Sequence, residues 1–472
     1  MRRREFLAAT TAAALYANGT KVSRARTAPG SLRPSPSKRK FVSKAVDRFV
    51  NDVRARIHDH ELAWMFENCF PNPLDTTVDF SNAGGTPDTF VITGDIPAMW
   101  LRDTMHQMWP YLNLAKRDAH LRDMLRGVIH RMVSCIMISP YAEAFLKSPK
   151  DKSIWTSDLT HMAPGVWEHK WEVDSICAVI RFSHGYWTTT GDTTPFNSAW
   201  QLAMKRVVQT LQTQQRIKGP GPYRFQRDTP NSTDTLPRGG LGFPGNPVGL
   251  VFTMFRPSDD AVTYPLHIPD NLMAARELKN LGEMLRAIHG DAEQIRLCDA
   301  FASALDAAVK TYGIIQQPAS ESLYAYEVDG FGNAILMDDA NWPSVLSLPW
   351  FDACKLTDRA YQASRQRIWS RHNPYFYQGK YRGIGSIHTP AGNIWPMSLI
   401  MYGLTSNDAR QVAWALKALK DTSAGTGFIH ESFNQIDPTK FTRPWFAMAN
   451  AMFGELVIQT QHRFPAVLAG PL

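Results

Sequence analysis

Nowhere in its 472 residues does the chain run through ~18 consecutive apolar residues, so no membrane-spanning helix and no stable membrane insertion are expected. Its five cysteines (Cys69, Cys135, Cys177, Cys298 and Cys354) are odd in number, widely spaced and without a C-x-x-C pair. That argues against a disulfide framework or a zinc site and leaves most of them as buried thiols behaving like small hydrophobes. The phosphate-cradling G-x-x-x-x-G-K-[ST], a G-x-G-x-x-G after a strand, H-E-x-x-H and G-x-S-x-G are all missing, which removes the common nucleotide, zinc-protease and serine-hydrolase chemistries. His58 and His60 stand two apart, so on a helix they point to different faces and make no ligand pair. Hydrophobic residues at 44% and charged residues at 20% are an ordinary globular balance, which excludes a wholly disordered chain.

The formal net charge of +8 would suit a nucleic-acid binder. Its distribution removes that reading, because residues 1–40 hold ten basic residues and one acid while the other 432 sum to −1. Arg3-Arg4-Glu5-Phe6-Leu7, followed by the mildly apolar Phe6 to Ala17, reads as a twin-arginine export signal, with a small-residue cleavage site in Ala25-Arg26-Thr27-Ala28. The expected organisation is a leader over 1–28, a disordered basic linker over 29–40 that cannot bury enough apolar surface to fold, and one domain over 41–472. The leader places the protein outside the cytoplasm, in the periplasm or the medium.

Within that domain, apolar residues recur at helical spacing. Val46, Phe49, Val50, Val53 and Ile57 share a face, as do Leu121, Leu125, Val128, Ile129 and Met132. The same holds for Leu278, Leu281 and Leu285, for Ile295, Phe301, Leu305 and Val309, and for Val412, Leu416 and Leu419. Strand-like alternation is scarce, Thr89-Phe90-Val91-Ile92 being the best candidate. Length allows on the order of twelve helices. Without a heptad seam or a regular repeat, they suit an all-α toroid of six helical hairpins, an (α/α)6 barrel, better than an open solenoid. The long connection from Gly219 to Gly249 is of a length that is usually functional.

Five polar clusters fall in loops or at helix ends. They are Gly94-Asp95-Ile96-Pro97-Ala98-Met99-Trp100-Leu101-Arg102-Asp103, Trp171-Glu172-Val173-Asp174-Ser175, Phe255-Arg256-Pro257-Ser258-Asp259-Asp260-Ala261, His388 to Pro396, and His430-Glu431-Ser432-Phe433 with Asp437 to Trp445. This is the inventory of a sugar pocket. Carboxylates and guanidinium groups hold hydroxyl pairs, Trp and Tyr faces take the apolar side of a pyranose, and two carboxyl groups cleave a glycosidic bond. The plainer reading of Asp174 is a helix N-cap, and that of Glu431 is an ion pair with His430 or Arg443. The adjacent acids Asp259-Asp260 and Asp338-Asp339 suit helix capping or substrate bonding better than a cation.

Taken together and in order, the motifs GDIPAMWLRD, WEVDS, FRPSDDA, HTPAGNIWPMS and HESF…DPTKFTRPWFAMAN resemble the glycoside hydrolase family 125 exo-α-1,6-mannosidases, from about Phe41 to the C-terminus. The resemblance implies an (α/α)6 barrel, hydrolysis with inversion, a mannose-containing glycan as partner, and neither metal nor cofactor. It makes Asp174 the general acid and Glu431 the general base. It places Trp100, Arg102 and Asp103 at the terminal-mannose subsite, and Arg256, Asp259, Asp260, His388, Asn393, Arg443 and Trp445 elsewhere in the pocket. The alternatives are another (α/α)6 carbohydrate enzyme (a glucosidase, an uronyl hydrolase or an epimerase) and an inactive glycan-binding relative.

Overall fold

The computed structural model describes residues 30–317 and 321–472. The leader expected over 1–28 and the first linker residue lie outside the described residues. One compact unit runs from Ser31 to Leu472, so the fold begins ten residues before the expected boundary at Phe41. Residues 31–40 are therefore not a disordered linker. Composition undersold them because charge, not apolar burial, holds them down. Arg33 donates through Nε and Nη2 to the buried Asp75 (2.8 and 3.1 Å) and reaches Asp47 (2.8 Å), while Arg39 reaches Asp47 and Asp75. Their partners lie on the first helices of the body. Four of the ten basic residues counted with the leader thus belong to the folded unit.

The described residues are mostly helical, and the helices form two layers. Leu101–Met108, Val173–Thr190, Ile268–Ala287, Pro396–Leu404 and Ala447–Arg463 make the inner layer, each packing on another of the set. They are buried almost all round, as helices inside a second helical layer must be. All eight residues of Leu101–Met108 are buried, as is every residue from Ala447 to Ile458. In chain order the place between Ile268–Ala287 and Pro396–Leu404 falls to a turn-rich, largely buried segment around Trp342–Phe351, whose last carbonyls accept from Arg181. Outside lie Lys44–Arg54, His60–Cys69, Ala119–Ile138, Ser198–Gln214, Ala292–Ala308, Arg359–Ile368 and Ala409–Asp421, most with one apolar face turned inward. This is the (α/α)6 arrangement, and the five apolar stripes read from the sequence fall on helices of it, except that Ile57 lies beyond the end of Lys44–Arg54 and Val309 just past Ala292–Ala308. None of the described helices is long and apolar enough to cross a membrane. The five cysteines are free thiols, four of them buried.

Strand is more plentiful than the alternation suggested. The run at Thr89 pairs as Asp88–Val91 against Val78–Ser81. Several further two- to four-residue strands make small sheets at the N-terminal ends of the inner helices. Met99–Trp100 pairs with Ala144–Phe145 and Val166–Glu168, Leu266–His267 with Glu327–Val328, and Asn393–Ile394 with Ser432–Asn434 and Phe441–Thr442. Strands this short show no alternation to read, yet they fix where the inner helices begin.

Candidate active site

The N-terminal ends of the inner helices meet. Ring contacts join the N-cap residues Trp395 and Phe446, and ion pairs join the first turns of Leu101–Met108 and Val173–Thr190. At their centre Arg102, buried, holds four acids. Its Nη1 donates to Glu172 Oε2 (2.6 Å) and Asp174 Oδ2 (3.1 Å), its Nη2 to Asp259 Oδ1 (3.3 Å), and its Nε lies 3.7 Å from Asp103. One positive charge cannot neutralise four carboxylates. Two of them bond the same nitrogen, so their separation cannot exceed the sum of those bonds. Two carboxylates ~4 Å apart repel by about 4 kcal/mol at an effective dielectric near 20. The group must therefore retain protons. Burial pushes the Asp174 carboxyl up to about 7 against the pull of Arg102, and pushes Glu172 well above the usual carboxylate range. Burial likewise raises Asp103, opposed by Arg102 and by a hydrogen bond from Thr93. Asp174 is not an N-cap. That place belongs to Glu172, whose side chain makes no cap bond and instead accepts from Arg102 and Ser175. The second oxygen of Asp174, Oδ1, has no hydrogen-bond partner among the described residues.

Glu431 sits just before the strand Ser432–Asn434, more open than Asp174, and accepts from Arg443 Nη1 at 3.3 Å. Its neighbour His430 is occupied elsewhere: its two ring nitrogens bond the carbonyls of Pro444 and Ser423, and its ring stacks on Phe441 at 3.8 Å. Arg443 also bonds Asp95, packs over Phe446, and feels the charge of Asp103. An electrostatic chain thus runs Asp174, Arg102, Asp103, Arg443, Glu431. Gly94, at φ +132°, lets the Asp95 loop lie against Trp445, where a Cβ would come within 3.3 Å of the indole.

The remaining expected residues join this end. Asp260 Oδ2 faces His388 Nδ1 (3.2 Å) and its Oδ1 accepts from Thr233 (2.8 Å); although burial pushes its carboxyl up, His388 holds it below the ordinary range. Asn393 donates to Ser432 Oγ (2.9 Å), tying the fourth cluster to the strand after Glu431. Arg256 donates to the buried Glu327 (2.6 Å). Trp100 is nearly closed off, packing with Ala98, Leu146 and Trp167. Asp259 and Arg443 both hold a positive φ (+64° and +44°), backbone strain that persists only where the surroundings enforce it. At Asp259 they do, since its N–H donates to the Arg256 carbonyl, its own carbonyl accepts from Lys170 and its carboxylate from Arg102.

Three groups escaped the sequence reading. Lys170, wholly buried one residue before the second cluster, bonds Asp234 (2.6 Å) and the Asp259 carbonyl (2.7 Å). Through Asp234, Thr233 and Arg227 the Gly219–Gly249 connection is clamped onto the site. Asp270, in the first turn of Ile268–Ala287, lies 3.1 Å from His267. Glu327, on one of the short strands, receives Arg256 and the backbone N–H groups of Thr263 and Tyr264. Adjacency to a motif could have flagged Lys170; nothing local marks the other two. Asp338 and Asp339 are satisfied by protein donors, Val345 and Leu346 N–H for one and Asn341 N–H and Ser386 for the other.

A family model described as metal-independent α-mannosidase (GH125) matches residues 59–458. The meiotically up-regulated gene 157 protein of Schizosaccharomyces pombe (strain 972) is 39% identical over 456 residues, covering 92% of this chain and 89% of that protein. A metal-independent α-mannosidase of Streptococcus pneumoniae, solved in a non-productive complex with α-1,6-mannobiose, matches with a TM-score of 0.86 at 38% identity, over 89% of this chain and 99% of that one. A bacterial glucoamylase solved with acarbose shares the fold alone, with a TM-score of 0.56 at 11% identity over 89% of this chain and 59% of that one.

Proposed function

The chain belongs to glycoside hydrolase family 125, the metal-independent α-mannosidases, and on that premise we propose that it removes non-reducing terminal α-1,6-linked mannose with inversion, Asp174 serving as general acid and Glu431 as general base. The observation that carries the pair is their unlike setting. Asp174 is sealed among acids that outnumber their one guanidinium, which favours a held proton. Glu431 is more open and accepts from Arg443, as a carboxylate awaiting water would. In the forward step Asp174 gives its proton to the glycosidic oxygen as the bond to the anomeric carbon breaks. Glu431 takes a proton from the water that adds to the opposite face, so β-mannose is released first. Arg102, Asp103, Asp259 and Asp260 supply charged hydrogen bonds for the sugar hydroxyls.

Linkage-defined mannobioses (α-1,2, α-1,3, α-1,4 and α-1,6), with the released anomer followed by NMR, test linkage and stereochemistry together. Selective α-1,6 cleavage giving initial β-mannose is expected; initial α-mannose would sink the inverting assignment. Asp174→Asn and Glu431→Gln should each lower kcat by about 10³-fold or more with the melting transition preserved. For the leader, we propose export by the twin-arginine route. Replacing Arg3 and Arg4 by Lys should then keep the protein in the cytoplasm, and unchanged export would refute it.

A further inference from the structure

One outer stretch of the molecule is short of acids. From Thr193 to Arg227 the chain holds six basic residues and no Asp or Glu. Arg227 is used inside the protein, on Asp158, Glu168 and Asp234. Among the described residues the other five, Lys205, Arg206, Arg216, Lys218 and Arg224, make no ion pair, and neither does Arg238 further along. Lys205 and Arg206 lie on the outer helix Ser198–Gln214, the rest on the connection that follows it. In a body whose residues 41–472 sum to −1, this is a local excess of positive charge.

Three segments of that connection bring the cations together. Arg216 Nη1 donates to the Leu241 carbonyl (3.3 Å), the Leu241 N–H to the Arg238 carbonyl (3.4 Å), and the Phe225 N–H to the Gly240 carbonyl (3.1 Å). Arg224 Nη1 donates to the carbonyls of Gly221 and Tyr223 (2.9 and 2.6 Å). Backbone carbonyls thus fix two of the guanidinium groups and neutralise neither. The crowding is felt at Arg216, which burial, and then the charges of Arg224 and Arg238, pull down to about 10. Lys218 and Arg238 are exposed. Beside them two large apolar side chains stand open, Ile217 at 61% exposure and Phe243 at 45%. Asp234, four residues before Arg238, bonds the buried Lys170, and four residues reach at most about 14 Å, so this face adjoins the catalytic end.

We infer that this face is a docking surface for an anionic phospholipid membrane, on which the protein lies without crossing it. Clustered Lys and Arg without counter-acids attract anionic headgroups, each cation near the surface raising partitioning roughly fivefold. The two open apolar side chains decide between partners. A dissolved polyanion leaves Ile217 and Phe243 in water, whereas a bilayer interface takes up cations and apolar side chains together. The inference does not depend on the catalytic assignment. Docked this way, the connection would bring the catalytic end toward glycans anchored in the membrane.

Cosedimentation of the full chain with vesicles of phosphatidylcholine, pure or mixed with phosphatidylglycerol, tests the face, with melting and aryl-mannoside turnover measured in parallel. The basic leader adds to the binding of parent and variants alike, so the comparison between them carries the result. Lys218→Gln/Arg238→Gln should weaken partitioning to the mixed vesicles about 10–30-fold, and added salt should shrink that difference. Ile217→Ser/Phe243→Ser should weaken it about tenfold. All four side chains are exposed, so melting and turnover should stay at the parent's level. Equal partitioning of the parent and both variants, or no preference of the parent for the mixed vesicles, overturns the proposal. A loss confined to the charge variant, matched by an equal loss of retention on heparin, makes the face a site for a soluble polyanion and overturns the membrane assignment.

Discussion

The two helical layers begin their helices differently. Every described outer α-helix of eight or more residues is capped by its own N-cap side chain: Ser43, Asp59, Asp118, Asn197, Asp291, Asp358 and Asp408 each accept from an N–H two or three positions on. Among the described inner helices none is. Their N-caps are Trp100, Glu172, His267, Trp395 and Phe446, and no cap bond is made by any of them. A missing cap costs a helix about 1 kcal/mol, and the inner layer accepts that cost at each of these ends. The positive ends of their dipoles face the acids Asp103, Asp174 and Asp270, each in a first turn. The outer layer stabilises the barrel; the inner layer leaves its N-termini to the site.

The largest break in that contrast is Arg102→Met. Removing the one guanidinium that four acids share leaves buried charge unpaired, at a cost of about 3–5 kcal/mol, so both the melting temperature and mannoside turnover should collapse. A folded, stable Arg102→Met would mean that the acids are neutral without it. Arg443→Met acts on the open side of the site. It frees Glu431 and Asp95 near solvent, so stability should change little while kcat/KM falls by roughly 10–100-fold, the worth of a charged hydrogen bond. A large loss of stability without loss of activity would make Arg443 a structural residue.

The same contrast decides how much could be read from the residues. Outer helices carry a polar cap and an apolar stripe, and the stripes at Val46–Val53, Leu121–Met132 and Val412–Leu419 appear as helices. Of the inner helices, Ile268–Ala287 exposes Lys279, Glu283 and Arg286 and so showed its stripe, whereas Leu101–Met108 and Ala447–Ile458 are buried on all sides and offer no period to detect; only their motifs marked them. The site's clusters were legible because each is a run of polar and aromatic residues in a chain order matching a known family. Asp270 and Glu327 were not, since each is a lone acid in an ordinary helical or strand context whose partners come from distant segments. The segment 31–40 misled for a related reason. Its anchors, Asp47 and Asp75, are invisible to local composition.

On the outer side, Asp291→Ala should lower stability by about 1 kcal/mol through loss of the cap on Ala292–Ala308, with kcat and KM unchanged. An effect on turnover would show that the layers are more tightly coupled than their separate caps imply.

The smallest expected effect lies in the pH profile. If Asp174 is the general acid, as proposed, it must carry a proton to act, and burial pushes its carboxyl up to about 7, so kcat/KM should fall on the alkaline side with a midpoint near there. The sign for stability runs the same way. The unfolded carboxyl titrates near ~3.9, so the folded state's hold on the proton stabilises it fully below ~4 and is lost as pH climbs to about 7. After burial, an ionised Asp270 would raise Asp174 further, while Arg102 opposes both, but burial pushes the Asp270 carboxyl itself well above the usual carboxylate range. Asp270→Asn removes that repulsion at nearly constant volume. The Asp174 carboxylate becomes easier to form, and the alkaline midpoint should move down by up to about one pH unit, with kcat at pH 5 retained. If the midpoint stays in place, Asp270 is itself neutral beside His267, and the inner layer tunes its acid by burial alone.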